Sequence, residues 1–204
     1  MLHNLQEYYQ FFADNLSELQ PHGLDITPEY CLLTSGVWQT VKAEFEDRGI
    51  NSKVIFIMRE PTCRLESGMR MTLGGKRSKV DPSNVDPNEM LLAEMKTLTK
   101  QKLSAYEKTV SALRGAFPEK DIFFGFYETM FEPSEITRLS HFIDGDPVLF
   151  KPDEMVNSRP RPFSYSREVI DQAKAQYAPI WEFVSNEFGF DLSHWEKAIH
   201  ELQA

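Results

Sequence analysis

Lys53-Val54-Ile55-Phe56-Ile57-Met58-Arg59-Glu60-Pro61, with Arg64 and Ser67 close behind, is the stretch on which the reading of this chain turns. Five apolar residues run without alternation into an arginine, an acid and a proline. That is the pattern of a parallel strand covered on both faces. Arg59 then stands at the carboxyl end of the strand, where open α/β sheets place their ligand crevice. Pro61 ends the strand and suits the first turn of a helix over 61–73. On that helix Arg64 and Ser67 are three residues apart and share a face. A fixed guanidinium and a hydroxyl near a helix N-terminus make a receptor for a phosphate. The same letters also fit an ordinary core strand followed by a surface arginine, with Arg64 paired to Glu60 four residues earlier.

Outward from this stretch the chain alternates helical and extended patterns. Leu5, Tyr8, Tyr9, Phe12 and Leu16 recur at helical spacing within 3–19 and read as an aromatic docking helix. A short strand or extended piece is expected over 24–27, where Pro28 restricts Thr27, and a helix over 37–45. Beyond the central strand and helix, residues 74–88 carry Gly74, Gly75, Pro82 and Pro87 and read as a loop. Pro87 opens another helix, a further helix is expected over 103–117, and 122–126 is the second apolar strand. Pro133 begins a helix that Asp144-Gly145 closes. Residues 151–166 are irregular, and Ser166 or Ser164 caps a long helix over 167–188 that Gly189 ends. A last helix spans 192–202. Nothing divides the sequence into linked halves, so 1–204 reads as one α/β domain.

The chain has 204 residues, 41% of them hydrophobic, and a formal charge of −9. The acidic balance argues against a general binder of nucleic acid or of a membrane surface, both of which rely on a basic field. It leaves room for a local basic pocket. Arg59, Arg64, Arg70, Lys76, Arg77 and Lys79 form one basic group, and Arg159, Arg161 and Arg167 another. Cys31 and Cys63 are too few for a disulfide framework and lack metal-ligand spacing. Neither a transmembrane run nor a secretory leader is recognisable, so a reducing, cytoplasmic setting is expected. Gly74-Gly75-Lys76-Arg77-Ser78 lacks both the lead-in strand and the glycine spacing of a phosphate loop.

The spacing Arg-x-Pro-x-x-Arg-x-x-Ser after an apolar strand resembles the 3′-phosphate-binding segment of the sulfotransferases that use 3′-phosphoadenosine-5′-phosphosulfate (PAPS). Two weaker stretches are similar to the same family in the same order. They are Gly23-Leu24-Asp25-Ile26-Thr27-Pro28-Glu29-Tyr30 and Asp121-Ile122-Phe123-Phe124-Gly125-Phe126-Tyr127-Glu128-Thr129-Met130. The resemblance covers roughly residues 5–195 and is specific only between Arg59 and Ser67.

The resemblance implies a P-loop-NTPase-like parallel sheet flanked by helices, and a nucleotide, PAPS or its product 3′-phosphoadenosine 5′-phosphate (PAP), held by Arg59 and Ser67. Arg64 matches a frequent arginine of the motif, and Arg159 and Arg161 stand where the family closes a late loop over the nucleotide. The implied reaction is sulfuryl transfer to a hydroxyl or amine of a small-molecule or carbohydrate acceptor. The family's 5′-phosphosulfate loop has no counterpart in these letters, so the first βα unit is expected to be missing and turnover slow or absent. A sheet lacking that strand would expose an edge, and self-association or aggregation is expected. The family's charged lysine falls on Ile26, and no catalytic base is identified among Asp25, Glu29 and His22. The alternative reading is a non-catalytic nucleotide-binding or interaction module of the same fold.

Overall fold

The computed structural model describes residues 5–73, 85–145 and 163–203. The fold is mixed α/β and mostly helical. Its two strands, β1 (Val54–Met58) and β2 (Ile122–Phe126), pair in parallel as a two-stranded sheet. The helices are α1 (Leu5–Asn15), α2 (Ser35–Glu46), α3 (Pro61–Leu73), α4 (Pro87–Lys96) and α5 (Leu98–Leu103). They continue with α6 (Tyr106–Arg114), α7 (Pro133–Phe142), α8 (Arg167–Phe188) and α9 (Ser193–His200). Among the described residues no helix is long and apolar enough to cross a membrane.

Contacts gather the chain into two compact units, Met1–Phe56 with Lys108–Phe123, and Ile57–Glu107 with Phe124–Ala204; the division falls within both strands. In the first unit the aromatic helix docks as its spacing predicts. Tyr8, Tyr9 and Phe12 of α1 all set their rings edge-on to Phe45 of α2. Thr34 caps α2 through its side chain, which accepts from the Val37 N–H. Residues 24–27 are not a strand. Asp25 there accepts hydrogen bonds from the hydroxyls of Tyr8 (2.9 Å), Tyr30 (2.5 Å) and Thr27 (3.1 Å). The segment is held by side chains instead of by a neighbouring strand, which leaves Leu24 and Ile26 exposed.

The second unit is built on α8, whose limits were legible from its ends. Ser166 accepts from the Val169 N–H, and Gly189 takes the left-handed conformation (φ 63°) that a side chain would oppose. Ala173 and Val184 of α8 are wholly buried, as are Leu91 of α4 and Trp195 of α9.

Two expectations need correction. The helix expected over 103–117 breaks at Ser104, whose N–H bonds back to the Lys100 and Gln101 carbonyls while its hydroxyl is engaged by Arg64. The unbroken apolar run of β1 implied cover on both faces, and only β2 is buried throughout. Ile55 of β1 is 38% exposed, although β2 stands equally at an edge of this two-stranded sheet, so the face of β1 that carries Ile55 is only partly covered.

Candidate functional site

Both strands of the sheet end in a polar residue followed by a glutamate, Arg59-Glu60 after β1 and Tyr127-Glu128 after β2. The parallel register brings these ends together. The Tyr127 N–H donates to the Met58 carbonyl at 2.7 Å, and the Glu60 N–H donates to Glu128 Oε1 at 3.0 Å. Trp195 Nε1 donates to the other Glu128 oxygen at 3.0 Å. The Arg59 guanidinium lies over the Tyr127 ring, 4.3 Å from its centre, in cation–π geometry. Tyr106 fixes the Arg59 backbone, its hydroxyl donating to the Arg59 carbonyl at 2.6 Å.

Glu60 has become part of the core. It is wholly buried and caps α3, with Oε2 accepting from the Cys63 N–H at 2.7 Å. Oε1 accepts from the Thr62 hydroxyl (3.2 Å) and from Trp181 Nε1 (3.3 Å). Burial raises the Glu60 pKa, against which the Cys63 and Thr62 hydrogen bonds act. The first-turn N–H of α3 is therefore taken by an internal carboxylate. Ser67, the seventh residue of the helix, lies beyond that turn. Arg64 and Ser67 thus stand on the flank of α3 and not at its N-terminal N–H groups.

That flank is half-exposed at Arg64, Ser67 and Gly68. Arg64 Nη1 donates to Ser104 Oγ at 3.2 Å, and the pairing with Glu60 does not occur. Ser67 makes no hydrogen bond among the described residues. Arg59 Nε is buried without a hydrogen-bond partner. Beside Ser104 opens a cleft of about 340 Å³, lined also by Gln101, Gln176 and Tyr177. Both glutamines donate their amide N–H to the Met95 carbonyl. Burial lifts the Tyr177 hydroxyl to about 12, with nearby Ser104 acting the other way, so the cleft is lined by neutral groups at physiological pH.

The arginines divide into two kinds. Seven are described, and five of them sit on a carboxylate: Arg48 on Glu44, Arg70 on Glu66, Arg114 on Glu119, Arg138 on Glu135 and Arg167 on Asp171. Arg59 and Arg64 have no carboxylate partner among the described residues. In a chain of charge −9 the two described arginines without a carboxylate stand within five residues of each other.

The other titratable groups here are poor catalysts. Burial, reinforced by the Glu60 charge, raises the Cys63 thiol well above its ordinary value, so it is not a ready nucleophile. In the first unit, burial would raise Asp25, but the hydroxyls of Tyr30, Tyr8 and Thr27 hold it below the usual carboxylate range and make it a weak base. Among the described residues no group of three or more His, Cys, Asp or Glu side chains is placed to hold a metal ion.

Of the five residues singled out in the sequence, Arg59, Arg64 and Ser67 lie at the end of β1 and on α3, and Arg159 and Arg161 lie outside the described residues. Sequence reasoning missed Ser104, Tyr106 and Tyr127 as supports of the two arginines. Tyr106 carried only the helical spacing of a core residue, while Tyr127 and Glu128 already stood at the end of a recognised strand. The chain matches no family model and no curated protein.

Proposed function

We propose that the carboxyl end of β1 and the flank of α3 form the 3′-phosphate receptor of a sulfotransferase-like protein with a P-loop-NTPase-like sheet. Its nucleotide is PAPS or PAP, and its acceptor is a hydroxyl- or amine-bearing small molecule or carbohydrate. The observation that carries this reading is the pair of arginines without carboxylates. A guanidinium held by neutral partners keeps its full charge for an incoming anion, and Arg59 offers a buried N–H that no group among the described residues uses. The placement at a strand end is where parallel α/β sheets receive ligands. Ser67 adds a hydroxyl donor three residues after Arg64. PAPS supplies the activated sulfuryl group; these residues hold and orient the nucleotide.

A module that binds the nucleotide without turnover is the second reading, and one observation favours it. Both acids at the strand ends are committed to internal hydrogen bonds, Glu60 with three donors and Glu128 with two. Neither is free to take a proton from an acceptor.

Calorimetric titration of PAP tests the receptor. Arg59→Ala should weaken binding about tenfold or more, as expected for losing a charge-assisted contact of roughly 1.5–3 kcal/mol. Unchanged affinity in Arg59→Ala would falsify the assignment. Transfer of radiolabelled sulfate from PAPS to a panel of hydroxyl acceptors separates the enzyme from the binding module.

A further inference from the structure

Helix α3 faces α5 and its C-cap Ser104 at two places one helical turn apart. Arg64 Nη1 donates to Ser104 Oγ, and four residues later Gly68 has no side chain, the atom nearest to where its Cβ would lie being Lys100 Nζ at 3.8 Å. Lys100 precedes Ser104 by four residues, so each contact uses side-chain positions that share a helix face. Ser67 stands between the two contacts, three residues after Arg64 and one before Gly68.

A Cβ at Gly68 would lie in ordinary van der Waals contact with the ammonium, so the glycine simply leaves the space beside Lys100 open. Among the described residues Lys100 has one carboxylate neighbour, Glu94, at 3.6 Å, with both side chains about one-third exposed. A long, solvated pair of that kind holds its lysine weakly.

We propose that Lys100 is a third cation of the phosphate receptor, sharing with Arg64 and Ser67 the 3′-phosphate of the nucleotide. The proposal rests on the reading of the arginines given above and extends it to a residue of another helix. On binding, the ammonium exchanges Glu94 for phosphate oxygens, which a lysine can do because its charge is compact and its stem flexible. A phosphate monoester carries between one and a half and two negative charges at neutral pH, roughly. Three cations therefore make the site selective for a nucleotide with a 3′-phosphate over one with a free 3′-hydroxyl.

The test titrates PAP and adenosine 5′-phosphate into the full chain, into Lys100→Ala and into Glu94→Gln. Lys100→Ala should bind PAP about tenfold more weakly and adenosine 5′-phosphate unchanged. Glu94→Gln should tighten PAP about two- to threefold by removing the competing carboxylate. If the unaltered chain fails to prefer PAP, the phosphate reading itself is overturned, and Lys100 with it. If it prefers PAP and both variants keep its affinity, only the assignment of Lys100 falls. Thermal melts of the variants distinguish lost contacts from lost folding.

Discussion

Helix α3 carries two arginines six residues apart that are used in opposite ways. Arg70 lies 2.7 Å from Oε1 of Glu66, an acid wholly inside the protein, in a close ion pair not aligned as a hydrogen bond. Arg64 meets only a serine hydroxyl. One cation neutralises a charge that the fold has buried; the other is held in position with its charge left over. The same contrast separates the acids of the helix, since Glu60 has donors on both oxygens whereas Glu66 has Arg70 beside it. A residue type therefore says little about its use. What decides is whether the protein has supplied the opposite charge.

The contrast is sharpest in the response to truncation. Arg70→Ala strands the Glu66 carboxylate in the interior and should destabilise the protein by about 3–5 kcal/mol, the usual outcome of breaking a buried pair. Arg64→Ala strands no carboxylate and removes only the donor to the buried Ser104 hydroxyl, so it should cost about 1 kcal/mol. Urea unfolding of the two variants compares them directly, and equal destabilisation would erase the distinction.

Glu60 gives the next largest effect. Glu60→Ala leaves the Cys63 N–H, the Thr62 hydroxyl and the Trp181 indole N–H without their acceptor, and should cost about 2–3 kcal/mol. Glu60→Gln isolates the charge. Because burial raises the folded-state pKa above the ordinary 4.5, the folded protein binds the extra proton more readily than the unfolded chain. Stability from Glu60 is thus fullest below 4.5 and is lost as pH rises through the raised pKa. Glu60→Gln lacks that loss, so the stability of the unaltered protein relative to the variant should fall as pH climbs above 4.5. A flat difference across that range would mean that the hydrogen bonds balance burial, and a rising one that they outweigh it.

Much of this architecture could be read from the letters because its boundaries are set locally. Pro61 starts α3 where the proline requires, and Ser166 and Gly189 delimit α8. Both apolar runs are strands with the expected limits. The misreadings arise where distant side chains decide. The break between α5 and α6 falls where Ser104 meets Arg64, and 24–27 is tied by Tyr8 to Asp25 without forming a strand. The half-open face of β1 could not be foreseen, since an apolar run reports preference for cover and not whether distant parts of the chain supply it on both faces. At the site, the spacing of Arg59, Arg64 and Ser67 was visible, while the burial of Glu60 and the missing carboxylates were tertiary facts.

The smallest expected effect is also the most discriminating. Ser67 is half-exposed in the middle of α3 and makes no hydrogen bond among the described residues. Serine is a poorer helix former than alanine by a few tenths of a kcal/mol, because its hydroxyl competes for backbone groups. Ser67→Ala should therefore raise stability by about 0.3–0.5 kcal/mol. If Ser67 donates to a phosphate, the same change should weaken PAP binding, by less than Arg59→Ala because a neutral donor contributes less than a charged one. A substitution that stabilises the fold and loosens the ligand marks a position where function opposes stability. Calorimetry alongside a melting curve reads both quantities on one sample. Gain in stability with unaltered affinity would leave Ser67 as an ordinary surface residue, and the contrast along α3 would then rest on the arginines.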